Sequence, residues 1–204
     1  MWKDCQARQD EITALRRELH QIPEVGAQLP ETAACLSAHL DRLGIPFVRS
    51  PRDSGLIASI QGGLPGRTVA LRADMDALPI QEETGLPFSS RRPGVMHACG
   101  HDAHAAMLMG AAQVLQKHRK ELRGTVRLLF QPAEEQCEGA KVILEQGALD
   151  GVDAIFTPTD NIIMSAELAL YEDLIAAGIP HYTGARSEER RGGKECKSRW
   201  SPYH

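Results

Sequence analysis

Apolar residues recur along the chain with two distinct periods. In residues 10–20, Ile12, Leu15 and Leu19 stand three and four positions apart. That is the spacing of one face of an amphipathic helix, with Asp10 placed to cap it. Pro23 stops it. Residues 31–43 repeat the pattern with Ala33, Leu36, Leu40 and Leu43, and Gly44 follows as a C-terminal stop. Short apolar runs at 46–48, 56–60 and 68–73, separated by Gly and Pro turns, predict strands. Further on, a helix is expected over 103–118, a strand over 125–130, a short helix over 140–145 and a strand over 152–156. Strands alternating with helices imply an α/β sandwich of three layers with a mostly parallel sheet. Functional groups in such sheets gather at the C-terminal ends of strands. Two polar motifs stand at such ends: Asp74-Met75-Asp76, and Gln131-Pro132-Ala133-Glu134-Glu135.

The 204 residues suffice for one compact domain, or for one domain and a fragment. The formal net charge is -4. It is spread unevenly, with residues 186–204 basic and the remainder acidic. An acidic body gives no electrostatic reason to bind nucleic acid. No apolar run reaches the length of a membrane span, and the first residues lack the apolar core of a signal peptide. The five cysteines are odd in number and form no CxxC pair, which argues against a disulfide framework. A reducing, cytoplasmic setting is expected.

The densest chemistry lies in Met96-His97-Ala98-Cys99-Gly100-His101-Asp102-Ala103-His104. Imidazole and thiolate are ligands for borderline metals such as Zn²⁺. One glycine separates Cys99 from His101, so a turn can aim both at one centre. A helix beginning near Asp102 would set its positive end against the thiolate. A buried cysteine among surface histidines has the same pattern. Glu134 and Glu135, read as an extended chain, point in opposite directions. One carboxylate can then bind metal while its neighbour takes a proton from an activated water. An exposed acidic turn would read alike. In Arg72–Pro79, alternation puts Asp74 and Asp76 on one face, where one of them could orient a ligand imidazole; a turn rich in Asp is the alternative.

In this order the three motifs resemble those of the metal-dependent amidohydrolases of the aminoacylase, hippurate hydrolase and auxin-conjugate hydrolase group, within a large superfamily of co-catalytic metallopeptidases. Leu19-His20-Gln21-Ile22-Pro23-Glu24-Val25-Gly26 is similar to that family's opening signature. The resemblance covers about residues 8–156. It implies that Cys99, His101 and Glu135 are metal ligands, that Glu134 is the general base, and that Asp76 is a catalytic group in an orienting role. His97, Asp102 and His104 are not assigned to the metal, and His20 is read as structural. The implied reaction is hydrolysis of an amide bond in an N-acyl amino acid or a small peptide-like conjugate. The implied cofactor is a divalent metal, Zn or Mn with Co or Ni as other occupants, two per site in full-length members.

Full-length members are longer. They add further histidine ligands and a lid domain used for dimerisation. With those parts absent, the expected fold is a truncated three-layer sandwich with no lid and an exposed sheet edge. Weak single-site metal binding, weak or absent activity of this chain by itself, a poorly folded chain and no homodimer are expected with it. Residues 1–156 are read as a partial catalytic domain. Residues 157–185 form a strand-helix-strand segment, with the helix over 162–177 and the second strand over 179–182, that, with the shared strand at 152–156, resembles importer solute-binding proteins. Residues 186–204 resemble a translated sequencing adapter, a basic tail without a core face. The alternative to an amidohydrolase is a non-catalytic chimeric fragment or a solute-binding module.

Overall fold

The computed structural model describes residues 2–158, 176 and 178–183. A short helix α1 (Trp2–Gln6) precedes α2 (Gln9–Gln21) and α3 (Pro30–Arg42). The apolar stripes read from the spacing are the faces these two helices bury: Leu15 and Leu19 on α2, and Ala33, Leu36 and Leu40 on α3. Asp10 is not the cap. The helix begins at Gln9 with Arg8 at the N-cap position, and Asp10 lies in the first turn, where its charge suits the positive end of the helix dipole.

Gly44 does end α3. It takes φ +63°, and the Ile45 amide reaches back to the Leu40 carbonyl at 3.0 Å. A Cβ at Gly44 would meet open space, so the cost of a side chain there is conformational alone. Gly44→Ala is expected to lower stability by about 1–2 kcal/mol, the penalty for an L-residue in the left-handed region. Denaturant unfolding at constant m-value checks it.

The sheet is built from β1 (Phe47–Arg49), β2 (Leu56–Gln61), β3 (Leu64–Asp74), β4 (Arg123–Gln131), β5 (Ala154–Thr157) and β6 (His181–Thr183). The order across it is β1-β2-β4-β3-β5-β6. Pairs β3–β4, β3–β5 and β5–β6 are parallel, while β1–β2 and β2–β4 are antiparallel. Between β3 and β4 the chain forms α4 (His101–Lys117), and after β4 it forms α5 (Gly139–Glu145).

Alternation along the strands divides the core in two. Leu56, Ala58 and Ile60 of β2, Ala73 of β3, and Leu128 and Phe130 of β4 pack with Leu15, Leu19, Leu36, Leu40 and Met109 of the helices. The intervening Ala70 and Leu129 face the other way, onto Ile143 of α5, Ala148, Val152 and Ile155. Three helices, the sheet and α5 thus make three layers. The register pairs Asp74 with Gln131, so β3 and β4 end side by side and deliver their polar motifs to one place.

β6 supplies the strand expected near 179–182. The helix expected over 162–177 lies outside the described residues except for Ala176, and residues 186–204 lie outside them entirely. Among the described residues, no helix is long and apolar enough to cross a membrane.

Candidate metal centre

The site begins with a turn held from a distance. One carboxylate oxygen of Asp76 accepts the backbone N–H of Glu134 at 3.0 Å, and the other accepts that of Glu135 at 3.1 Å. Asp76 is 1% exposed, so both bonds are sheltered from water. The chain after β4 therefore does not continue extended. Ala133 takes φ +53°, and Glu134 to Cys137 form a turn. This corrects the expectation that Glu134 and Glu135 point in opposite directions, since that alternation holds only for a strand. Both carboxylates instead approach His101, with Glu134 Oε2 3.6 Å and Glu135 Oε1 3.9 Å from its Nε2.

His101 is the first residue of α4, and Gly100 before it takes φ +85° as the N-cap. This left-handed glycine turns the chain between Cys99, which stays exposed, and His101, which is buried. His101 Nδ1 donates to the Asp76 backbone carbonyl at 2.9 Å. A carbonyl can only accept, so Nδ1 carries a proton and Nε2 faces the carboxylates. The imidazole is thus oriented by the main chain of Asp76, with its carboxylate 3.5 Å away. Burial pushes the His101 pKa down, but the Asp76, Asp74 and Glu134 carboxylates outweigh it and raise it to about 9. Without a cation, the ring therefore holds a second proton at neutral pH.

Donor atoms of Cys99, His101 and Glu135 all lie within 4.8 Å of one another. His101 Nε2 and Glu135 Oε1 are buried with no hydrogen-bond partner. Buried polar atoms are nearly always partnered, so this pair fits a cation that the thiolate completes. Asp74, His101 and His104 form an adjoining donor set that shares His101. Here His104 Nδ1 lies 2.6 Å from Asp74 Oδ1, and Arg72 lies 3.0 Å from Asp74 Oδ2. Burial of Asp74 pushes its pKa up, but His104 and Arg72 outweigh it and hold the carboxyl below its ordinary value. The pairing of Asp74 with His104 was missed in the sequence. The available signal was the three-residue spacing of His101 and His104, which places both on one helix face.

His20 and Asp102 belong to a neighbouring cluster that joins α2 to the first turn of α4. His20 Nδ1 lies 2.6 Å from Asp102 Oδ2, and Arg16 Nε lies 2.8 Å from the same oxygen. His20 Nε2 faces Glu82 at 3.3 Å. His97 packs near this group, 6.2 Å from His20 between ring centroids. Neither His97 ring nitrogen has a hydrogen-bond partner. Burial pushes its pKa down to about 4, below the ordinary 6.5. A group whose folded pKa is depressed contributes stability above its unfolded value and loses it as pH falls through the folded one. The metal-free protein is therefore expected to lose stability between pH 6.5 and about 4, and His97→Phe to flatten that loss. Urea midpoints measured across this window test it.

Residues 70–170 match the model of peptidase family M20/M25/M40. N-acetyl-L-cysteine deacetylase of Bacillus subtilis is 48% identical over 145 residues, 71% of this chain and 35% of that protein. IAA-amino acid hydrolase ILR1-like 5 of Arabidopsis thaliana is 45% identical over 170 residues, covering 83% of this chain and 39% of that protein. The solved YxeP protein of B. subtilis, described as a dinuclear metal binding peptidase from the M20 family, superposes with a TM-score of 0.72 at 47% identity. That match covers 75% of this chain and 43% of the other. The chain thus spans well under half the length of each of these proteins. The family match reaches residue 170, beyond the strand at which the resemblance read from the sequence stops.

Proposed function

We propose that this chain, whose residues 70–170 match the model of peptidase family M20/M25/M40, contributes the core of a metal-dependent amidohydrolase site acting on N-acyl amino acids or small peptide-like conjugates. The observation that carries this is the convergence of Cys99, His101 and Glu135, with two buried donor atoms left without a partner. These three residues hold the cation in this proposal. Zn²⁺ or Mn²⁺ is the proposed occupant, because sulfur, imidazole and carboxylate form a mixed donor set. When bound, such a cation polarises the amide carbonyl and makes water acidic enough to be deprotonated near neutral pH.

The chain's own groups do the rest. Glu134 takes the proton of the attacking water on its carboxylate and returns it to the departing nitrogen. The Asp76 carboxylate keeps Glu134 and Glu135 in their turn, and the Asp76 carbonyl holds the His101 ring by Nδ1. His101 would have to be singly protonated, with its proton kept at Nδ1, to serve as one of the residues holding a cation. Residues 1–156 are the catalytic segment in this proposal. Residues 157–185, of which His181–Thr183 pair with β5 in the same sheet, are proposed as a segment of other origin, and 186–204 as a basic tail. A reducing, cytoplasmic setting is part of this proposal and rests on the cysteine pattern of the sequence.

The substrate class is supported by the relatives named above, an N-acetyl-L-cysteine deacetylase and an IAA-amino acid hydrolase. The test is amine release from a panel of N-acyl amino acids by the metal-loaded protein. Release that stops on chelation and returns with Zn²⁺ or Mn²⁺ is expected. Hydrolysis indifferent to chelation would overturn the proposal.

A further inference from the structure

Outside this centre, α2 and α3 bring a different donor set together. A carboxylate oxygen of Glu18, Cys35 Sγ and a ring nitrogen of His39 lie within 4.8 Å of one another. Cys35 and His39 are four residues apart on α3 and share one face. Each precedes a fully buried leucine, Leu36 or Leu40, and Glu18 precedes the buried Leu19 on α2. The backbone under all three donors is therefore fixed by the core, while Glu18 itself is exposed and its side chain can adjust.

We propose that Glu18, Cys35 and His39 form a second site, for a thiophilic divalent cation of the zinc class, which clips α2 to α3. Zn²⁺ takes sulfur at about 2.3 Å and nitrogen or oxygen at about 2.0–2.2 Å, so closing the present spacing around it needs movement on the order of 1 Å. Glu18 supplies that movement. Solvent fills the fourth position.

Binding has to displace a firmly held thiol proton. Burial pushes the Cys35 thiol up to about 12, and the Glu18 carboxylate adds to the rise. Burial pushes His39 down, and the Arg42 guanidinium adds to that, so its lone pair is available at neutral pH. Binding replaces the thiol proton with the cation: the S–H bond breaks, an S–metal bond forms and one proton goes to solvent. Among the described residues, Arg42 acts as a cation on both Cys35 and His39. It opposes a bound metal, so Arg42→Gln tightens binding.

The experiment uses the full chain, reduced and stripped of metal, with Cys99→Ser to silence the other centre. Titration with Co²⁺ is expected to give a thiolate-to-cobalt charge-transfer band that saturates at one equivalent and is displaced by Zn²⁺. Adding Cys35→Ser removes the band, and His39→Ala or Glu18→Gln weakens binding by at least about tenfold. In the Cys99→Ser protein, Zn²⁺ slows alkylation of Cys35, read by peptide mass mapping. A band undiminished by Cys35→Ser, or an alkylation rate of Cys35 unchanged by saturating Zn²⁺, overturns the proposal. Because Cys99 is absent from the titrated variants, neither result depends on the hydrolytic centre.

Discussion

Glu134→Gln is expected to slow amide hydrolysis by about 10²–10⁴-fold, the usual contribution of a positioned general base. Glu134 is 4% exposed, and its Oε2 stands 3.6 Å from His101 Nε2. Glutamine has the same shape, and its backbone N–H can still donate to Asp76, so the turn survives. What it lacks is a carboxylate to accept the water's proton. Cation affinity should therefore stay nearly unchanged while kcat falls. Steady-state kinetics on an N-acetyl amino acid, paired with equilibrium dialysis of the metal, separates the two quantities. A parallel collapse of cation binding would make Glu134 a ligand instead of a base.

Asp76→Ala is expected to damage both stability and the centre. Its buried carboxylate accepts two backbone N–H groups, one bond buried and the other part-buried. Orphaning a buried donor costs about 1–3 kcal/mol, so the pair should cost about 2–6 kcal/mol. The turn that aims Glu135 also loses its anchor, so cation affinity should fall with stability. Asp76→Asn is a finer probe. One oxygen still accepts, but the new NH₂ group faces the other N–H, donor against donor. Urea unfolding and dialysis of both variants check this. Stability within 1 kcal/mol of wild type together with intact cation affinity would remove Asp76 from its anchoring role.

Much of the fold was legible because burial writes a period into the chain. Leu36 and Leu40 announce the inner face of α3, and Leu128 and Phe130 announce one face of β4. Boundaries were less legible. His101 opens α4 two residues ahead of the expected start because the left-handed Gly100 caps the helix there. The Asp10 cap failed because the helix starts one residue before it.

The sequence by itself determined the donor types and their order: an Asp-x-Asp, a Cys-Gly-His and a Glu-Glu pair, the Asp and Glu pairs each placed at the end of a strand. It also determined that the strands alternate with helices and therefore sandwich a largely parallel sheet. Only the tertiary structure decided which way those groups face. Asp76 reaches 58 residues along the chain to fold Glu134 and Glu135 into a turn, and no local period encodes such a bond. The pairing of Asp74 with His104, and the meeting of Glu18 with Cys35 and His39, likewise come from how elements pack. Local sequence sets the dihedral preferences and the face each residue shows, whereas the distance between two side chains on different elements is fixed by sheet register and helix packing.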